Sequence, residues 1–154
     1  MATTEIRITG FGGQGVILCG YIIGKAASIY NEQHATLTQS FGPEARGSAC
    51  SAQIVFSDEP IDYPYVRKVD VLVAMSQDAY RLFAGEVKPG GLILVDEDLV
   101  TPETRPERRI LAVPATRIAE SLGKRIVANM VMVGFFEAST NLLEVESVRE
   151  AIRT

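Results

Sequence analysis

A glycine-rich turn near the amino terminus carries the strongest chemical signal in the chain. Gly10, Gly12 and Gly15 follow a short β-branched run and fit the spacing G-x-G-x-x-G, with Gly13 and Gln14 inside it. In this spacing the first glycine allows a sharp exit from a strand, the second lets backbone approach a ligand, and the third lets the next helix pack closely on the strand. The unpaired N–H groups and positive dipole at the start of that helix favour an anion. The alternative is a structural turn that binds nothing.

A dinucleotide is the usual ligand of this spacing, but the second predicted strand argues against it. An NAD site needs an acidic residue about 20 positions further on to bind the ribose hydroxyls. The strand predicted over residues 34–39 ends at Gln39 and Ser40, and the nearest carboxylates, Glu32 and Glu44, lie outside it. The chain also offers no evident proton donor. We therefore expect neither NAD binding nor activity as an independent dehydrogenase.

A polar loop over residues 39–48 is the second stretch that could bind a ligand. It contains Ser40, Arg46 and Gly47. A guanidinium donates hydrogen bonds in a fixed fork that suits phosphate or carboxylate, and nearby glycines let backbone come close. This loop and the glycine turn would form a crevice if both lie at the carboxyl ends of parallel strands. The alternative is a surface ion pair between Arg46 and Glu44 that only holds the turn.

Residues that ligate metals or act as acid–base pairs are scarce. Cys19 and Cys50 are the only cysteines, lack a C-x-x-C spacing, and fall short of the four ligands of an iron–sulfur cluster. We expect both to be buried free thiols. His34 is the only histidine and is expected at the surface. The sequence therefore predicts no catalytic residue and no metal site within this chain.

The composition limits the class of protein. The 154 residues suit one domain, and the net charge of −4 leaves no basic surface for nucleic acid. Apolar runs stop well short of the about 18 residues that indicate a membrane span. The first residues lack the charged-then-apolar pattern of a signal peptide. These observations predict a cytoplasmic protein that binds neither nucleic acid nor membranes.

Strand and helix patterns alternate along the chain. Strands are predicted over residues 6–9, 34–39, 49–56, 69–75, 92–96 and 109–114, and helices over residues 14–30, 77–86, 116–122, 127–143 and 144–153. Ser76 is the expected N-cap of the second helix, Lys88 to Gly91 should end that helix, and Gly123 should close the third helix. The alternation predicts an α/β fold: a single Rossmann-like domain with a mostly parallel sheet and helices on both faces. Residues 49–66 interrupt it and predict an antiparallel excursion beside the glycine turn.

Five motifs in this order resemble the gamma subunit, or gamma-type domain, of 2-oxoacid:ferredoxin oxidoreductases, the pyruvate and ketoisovalerate oxidoreductase gamma family. They are the glycine turn, Ser40-Phe41-Gly42-Pro43-Glu44-Ala45-Arg46-Gly47, Ile61-x-Tyr63-Pro64, Asp70-Val71-Leu72-Val73-Ala74 and Asn129-Met130-Val131-Met132-Val133-Gly134. The resemblance covers nearly the whole chain. One departure is Ser48, where members of the family often carry a second glycine after the Arg-Gly pair.

The resemblance implies a subunit of an enzyme that converts a 2-oxoacid and coenzyme A to acyl-CoA and carbon dioxide, with two electrons passed to ferredoxin or a similar acceptor. Residues 33–40 are most similar to the 2-oxoglutarate branch, and the pyruvate and branched-chain branches stay open. The implied partners are alpha, beta and delta subunits, with ferredoxin reached through the complex and a homodimer when the chain is isolated. Thiamine diphosphate and the iron–sulfur clusters would belong chiefly to other subunits, so this chain would bind no cofactor alone and would not be catalytic alone. By this resemblance, the residues lining a subunit interface near coenzyme A or thiamine diphosphate would be Gly10, Gly12, Gly13, Gln14, Gly15, Ser40, Arg46 and Gly47.

A stand-alone regulatory module that binds coenzyme A or a nucleotide is the competing hypothesis. It predicts a stable monomer with its own ligand affinity and a polar exterior on the helix over residues 127–143. That helix is apolar on more than one face, which is typical of burial against a second subunit as well as the sheet. The subunit hypothesis predicts an apolar patch there and no turnover without partners.

Overall fold

The computed structural model describes residues 3–11, 15–30, 34–41, 49–57, 69–101, 109–124, 127–140 and 145–153. The strands are β1 (Thr3–Phe11), β2 (His34–Phe41), β3 (Ala49–Ser57), β4 (Val69–Ala74), β5 (Val87–Asp96) and β6 (Arg109–Val113). The helices are α1 (Val16–Lys25), which continues as a π-helical segment (Ala26–Tyr30), α2 (Gln77–Phe83), which ends in a 3₁₀ turn (Ala84–Glu86), α3 (Ala115–Ser121), α4 (Ala128–Thr140) and α5 (Val145–Arg153).

The six strands form one sheet in the order β2-β3-β1-β4-β5-β6. The pairs β1–β4, β4–β5 and β5–β6 are parallel, whereas β3 is antiparallel to both of its neighbours, β1 and β2. The predicted single α/β domain with a mostly parallel sheet is confirmed. The antiparallel excursion is also confirmed over residues 49–57, and its remainder to residue 66 lies outside the described residues.

The two faces of the sheet bury separate apolar clusters. One face carries Ile6, Ile8, Ala52, Ile54, Phe56, Val71, Val73 and Leu94, and residues of α1, α4 and α5 pack on it. The other face carries Leu72, Ala74, Ile93 and Val95, which pack against Tyr80 and Ala84 from α2 and its 3₁₀ turn. Apolar residues therefore run almost without interruption along β4 and β5, as strands covered on both faces require. Helices on both faces of the sheet are confirmed.

Local signals placed several element ends correctly. The Ser76 hydroxyl accepts a hydrogen bond from the Ala79 N–H at 3.2 Å and caps α2. Gly123 has a φ of 99° after α3, and the Lys124 N–H returns to the Ala119 carbonyl oxygen at 3.2 Å. The predicted end of the second helix before residues 88–91 agrees with the structure, in which the 3₁₀ turn after α2 ends at Glu86. The predicted start of the next strand at Leu92 is wrong, because β5 begins at Val87 and includes residues 88–91. These residues fit as an irregularity in the pairing with β4, where Gly90 has a φ of 83°.

A buried arginine ties β1 to the elements around it. The Arg7 Nε lies 3.1 Å from a carboxylate oxygen of Glu86, and its guanidinium carbon lies 4.4 Å from the centre of the Phe83 ring. A terminal nitrogen donates to the Ser51 hydroxyl on β3 at 3.1 Å. Burial lowers the pKa of Arg7, and the negative charge of Glu86 acts in the opposite direction. These contacts hold β1 between β3 and α2, three residues before Gly10.

Candidate functional site

The sheet has one edge at which a ligand site is expected. The strands β1, β4, β5 and β6 are parallel, so their carboxyl ends lie together. From β1 the chain runs through α1 on one face toward β2, whereas from β4 it runs through α2 on the other face toward β5. The direction of the connections reverses between β1 and β4. Open α/β sheets bind ligands outside the carboxyl ends of strands at such a point.

The glycine turn and the polar loop both leave the sheet at this edge. Gly10 near the end of β1 and Phe41 at the end of β2 both pair with Cys50, on opposite sides of β3. Because neighbouring strands lie about 4.8 Å apart, the ends of β1 and β2 are about 10 Å apart. Residues 12–14 and 42–48 therefore start from adjacent points of the sheet, as the crevice prediction requires.

The structure describes three of the eight predicted site residues. Gly10 lies in β1, Gly15 precedes the first residue of α1, and the backbone of Ser40 lies in β2 opposite Ser51. The Ser40 side chain lies outside the description, as do five complete residues: Gly12, Gly13, Gln14, Arg46 and Gly47. The roles of all eight residues stay predictions.

The backbone conformation at position 15 requires a glycine. Its φ of 77° and ψ of 28° place it in the left-handed region, which side-chain-bearing residues rarely adopt. It is the N-cap of α1, and this helix therefore begins at residue 16 rather than at the predicted residue 14. No side chain caps the helix, and its first turn holds no acidic residue. Neither the N-cap residue nor the first turn of α1 therefore supplies a group that neutralises the positive end of the helix, which suits an anionic ligand.

Asn129 also lies in this region, and the sequence analysis did not predict its position there. It lies in the first turn of α4, its side-chain nitrogen donates to the Gly15 carbonyl oxygen at 3.5 Å, and its side-chain oxygen accepts from the Met130 N–H at 2.9 Å. A Cβ added to Gly15 would lie 3.0 Å from the Asn129 Cγ and still closer to its Nδ2. The start of α4 therefore packs directly on the end of the glycine turn. Asn129 entered the sequence analysis only as part of a family motif, without a partner.

Gly15, the third glycine of the spacing, was expected to let α1 pack closely on a strand. This expectation is wrong, and Gly20 has that role instead. Gly15 faces Asn129 on α4 rather than a strand, whereas a Cβ added to Gly20 would lie 2.7 Å from the Ala52 Cβ on β3 and 3.2 Å from Leu37 on β2. Gly20 therefore marks the close approach of α1 to the sheet. The physical reason is that β3 lies between β1 and β2, so α1 crosses the small residue Ala52.

Cys19 joins α1 to α4 next to this contact. Its thiol donates to the Asn129 carbonyl oxygen at 3.3 Å, and the side chain is buried, as predicted. Burial raises the pKa of the thiol from 9.0 to about 12. The side chain of Cys50 lies outside the description.

This pKa shift predicts a loss of stability at alkaline pH. The Cys19 thiol ionises near its ordinary pKa of 9.0 in the unfolded chain, but only near a pKa of about 12 in the folded chain. The protonated thiol therefore contributes fully to the free energy of unfolding below about pH 9, and this contribution declines as the pH rises toward 12. The slope is at most about 1.4 kcal/mol per pH unit. The measurement is the free energy of unfolding of the wild type and of Cys19→Ala at several pH values. The stability difference between them should shrink above pH 9, and an unchanged difference would contradict the shift.

The acidic residues at the far end of this edge have structural partners. Asp96 is fully buried at the end of β5, where it accepts from the Thr116 hydroxyl at 2.7 Å and from the Asp98 N–H at 3.1 Å. Arg117 pairs with Glu97 and Asp98 at 2.6 Å each. These contacts fix the start of α3. Within the described ranges, no group of three or more His, Cys, Asp or Glu side chains could hold a metal ion, and no helix is long and apolar enough to cross a membrane.

Comparison with known proteins decides the family. Residues 5–154 match the family model described as pyruvate ferredoxin/flavodoxin oxidoreductase. The chain belongs to this family. The predicted resemblance to 2-oxoacid:ferredoxin oxidoreductases is thereby confirmed.

Relatives and solved structures share both the sequence and the fold. The chain is 50% identical to the 2-oxoglutarate synthase subunit KorC of Methanocaldococcus jannaschii over 96% of its own length and 81% of that protein. It is 38% identical to the ketoisovalerate oxidoreductase subunit VorA of Methanothermobacter marburgensis over 97% of its own length but 31% of that longer protein. The crystal structure of a keto/oxoacid ferredoxin oxidoreductase gamma subunit from Geobacter sulfurreducens matches with a TM-score of 0.86 and 38% identity, over 97% of this chain and 84% of that one.

Proposed function

We propose that this chain is the gamma subunit of a multisubunit 2-oxoacid:ferredoxin oxidoreductase that acts on 2-oxoglutarate in the cytoplasm. The reaction converts the 2-oxoacid and coenzyme A to acyl-CoA and carbon dioxide and reduces ferredoxin or a similar acceptor. The observation that carries the proposal is the 50% identity to a 2-oxoglutarate synthase subunit along almost the entire chain. Residues 1–154 would form one gamma-type domain, in line with the family match over residues 5–154.

The role of the chain would be to hold an anionic part of coenzyme A or of thiamine diphosphate. The start of α1 fits such a group, because its N-cap is a glycine without a side chain and its first turn carries no acidic residue. Arg46, which follows the end of β2 in the sequence, would supply the charge-assisted hydrogen bonds. Asn129 would act as a positioning residue, since its side chain contacts Gly15 rather than the ligand.

The other cofactors would belong to the alpha, beta and delta subunits. In the assembled enzyme, thiamine diphosphate supplies the carbon–carbon bond cleavage and the iron–sulfur clusters carry the electrons. Cys19 and Cys50 fall short of the four ligands of a cluster, and the Cys19 thiol donates to a backbone carbonyl oxygen. On α4, Gly134 and Ala138 are exposed, and Val131 and Phe135 beside them are half-buried against the core. These four residues offer a partner subunit a small apolar strip. A stand-alone binding module would have a polar exterior there.

The direct test of this site is Arg46→Ala in the assembled enzyme. Loss of a charge-assisted hydrogen bond costs about 1.5–3 kcal/mol, so we expect turnover or affinity for coenzyme A to fall by roughly 10-fold to 100-fold. Thermal unfolding of the isolated chain should change little. The matched control is Arg109→Ala, which removes an exposed arginine at the start of β6, at the opposite edge of the sheet. Unchanged kinetics in Arg46→Ala would remove this residue from the site.

Affinity purification of the chain from its native cytoplasm tests the assembly itself. The subunit proposal predicts brown co-purifying material that contains a thiamine-binding subunit and cluster-bearing subunits. A colourless chain without partners would instead support the stand-alone module, and its affinity for coenzyme A and nucleotides would then be measured.

A further inference from the structure

The peptide between Gly15 and Val16 decides which backbone group the start of α1 presents to a ligand. A trans peptide is planar, with its carbonyl oxygen and its N–H on opposite sides. The Gly15 carbonyl oxygen accepts from the Cys19 N–H at 3.0 Å, which is the first hydrogen bond of the helix. The Val16 N–H therefore points out of the helix, toward the edge of the sheet where β1 ends. If the peptide turned over, its carbonyl oxygen would point there instead and would repel an anion.

Glycine at position 15 makes such a turn of the peptide easy. Gly15 has a φ of 77°, and a residue without a Cβ reaches other backbone conformations at little steric cost. Its carbonyl oxygen also lies at the end of a helix, where backbone hydrogen bonds open most readily. A ligand site at this position therefore needs a further contact that holds the carbonyl oxygen in place.

The side chain of Asn129 supplies this contact. Its amide fills the space that a side chain at position 15 would occupy, since a Cβ added to Gly15 would lie 3.0 Å from the Asn129 Cγ. The side-chain oxygen accepts from the Met130 N–H at 2.9 Å, so the side-chain nitrogen is the atom that faces the Gly15 carbonyl oxygen, at 3.5 Å. Asn129 is only 7% exposed, so water competes little with this long hydrogen bond.

Asn129 is itself held against α1 by Cys19. The Cys19 thiol donates to the Asn129 backbone carbonyl oxygen at 3.3 Å, while the Cys19 N–H donates to the Gly15 carbonyl oxygen. The contacts thus close a ring from Gly15 through Asn129 and Cys19 back to Gly15. Turning the peptide after Gly15 would break both hydrogen bonds to its oxygen. It would also leave the buried Asn129 nitrogen without its acceptor, which costs more than the net contribution of one hydrogen bond.

We propose that Asn129 locks the peptide between Gly15 and Val16, so that the start of α1 presents N–H groups and no carbonyl oxygen to a phosphate group. This inference rests on the proposed function and specifies the chemistry of the ligand. Coenzyme A and thiamine diphosphate both carry phosphate groups, and N–H groups at the start of a helix bind phosphate. Asn129 acts through Gly15 and does not contact the ligand, so it is a positioning residue.

Titration of the isotope-labelled full chain with inorganic pyrophosphate, followed by NMR, tests this inference without other subunits. The amide signal of Val16 should shift as pyrophosphate is added to the wild type. Asn129→Ala should need about 3-fold to 10-fold more pyrophosphate for half of the shift, the factor that one hydrogen bond contributes. Asn129→Asp should need still more, because its carboxylate would repel both the Gly15 carbonyl oxygen and the pyrophosphate.

The matched control is Phe136→Leu. Phe136 is fully buried on the same face of α4, about two turns after Asn129. Its replacement should lower the free energy of unfolding, because core packing is lost, but it leaves the contact with Gly15 intact. The pyrophosphate concentration at half of the shift should therefore equal that of the wild type.

The assembled enzyme shows which of the two cofactors places its phosphate at α1. Asn129→Ala should raise either the KM for coenzyme A or the Kd for thiamine diphosphate, whereas kcat at saturating cofactor should stay within about 2-fold of the wild type. A fall in kcat with both constants unchanged would contradict a positioning role.

The outcomes separate this inference from the proposed function. If the wild-type Val16 signal does not respond to pyrophosphate, the phosphate site at the start of α1 fails, and the lock fails with it. If the signal responds equally in the wild type and in Asn129→Ala, only the lock is overturned and the site stands. The lock is also overturned if Phe136→Leu weakens pyrophosphate binding as much as Asn129→Ala, because the effect would then come from the stability of α4 alone.

Discussion

Gly15→Val is expected to lower the free energy of unfolding by about 2–6 kcal/mol. A valine forced to a positive φ costs about 1–3 kcal/mol in backbone strain, and overpacking against a fixed neighbour costs about 1–3 kcal/mol more. Both apply here, because Gly15 has a φ of 77° and a Cβ would collide with the side chain of Asn129. The measurement is urea unfolding of the isolated chain, followed by turnover of the assembled enzyme with the variant.

Two further variants separate the strain from the collision. Gly123→Ala is the strain control, because Gly123 has a φ of 99° and a Cβ there would meet no atom of the described residues within 4 Å. It should cost less than Gly15→Ala. Adding Asn129→Ala to Gly15→Ala should recover part of the loss, since it removes the collision but not the strain. Equal costs for Gly15→Ala and Gly123→Ala would show that the Asn129 contact is unimportant.

The second large effect concerns two glycines of α1, at which substitution by alanine should change the stability of the chain in opposite directions. Gly20→Ala should destabilise the chain by about 1–3 kcal/mol, because the new Cβ would lie 2.7 Å from that of Ala52 and α1 would have to move. Gly24→Ala should stabilise it by about 0.5–1 kcal/mol, because its Cβ would meet no atom of the described residues within 4 Å and alanine favours the helix.

Chemical denaturation of the two single variants checks this comparison. Helix propensity is the same gain in both, so the difference between them isolates the contact of α1 with β3. If Gly20→Ala proved as stable as Gly24→Ala, α1 would not approach the sheet as closely as the structure shows. The assembled Gly20→Ala enzyme should also lose activity, because a displaced α1 moves Gly15 and the start of the helix.

Sequence patterns predicted those parts of the fold that depend on short-range order. The apolar runs of β4 and β5 identify strands buried on both faces, and Ser76 and Gly123 act at helix ends through contacts with residues three to five positions away. The antiparallel direction of β3 was predicted because residues 49–66 interrupt the alternation of strands and helices along the chain. Its insertion between β1 and β2 could not be predicted, because strand order depends on pairing between distant segments.

The candidate site was predictable to the same extent. The spacing of Gly10 and Gly15 indicates the turn, and β1 and α1 confirm its strand-to-helix setting. The contact of Asn129 with Gly15 spans 114 positions, so no local spacing indicates it. Arg7 was also missed, since a charged residue between Ile6 and Ile8 suggests a solvent-facing side of the strand. Its burial depends on Glu86 and Phe83, which reach it from the end of α2.

The central position of β1 has a consequence for the synthesis of the chain. Both neighbours of β1 follow it much later in the chain: Arg7 contacts Ser51 across 44 positions, and Glu5 contacts Asp70 across 65 positions. The entropy of closing these long loops must be overcome before β1 gains any partner, which slows folding. While β3 and β4 are still inside the ribosome, the nascent chain exposes an apolar strand with two open edges. Protection from aggregation is therefore needed most before β3 and β4 have left the ribosome.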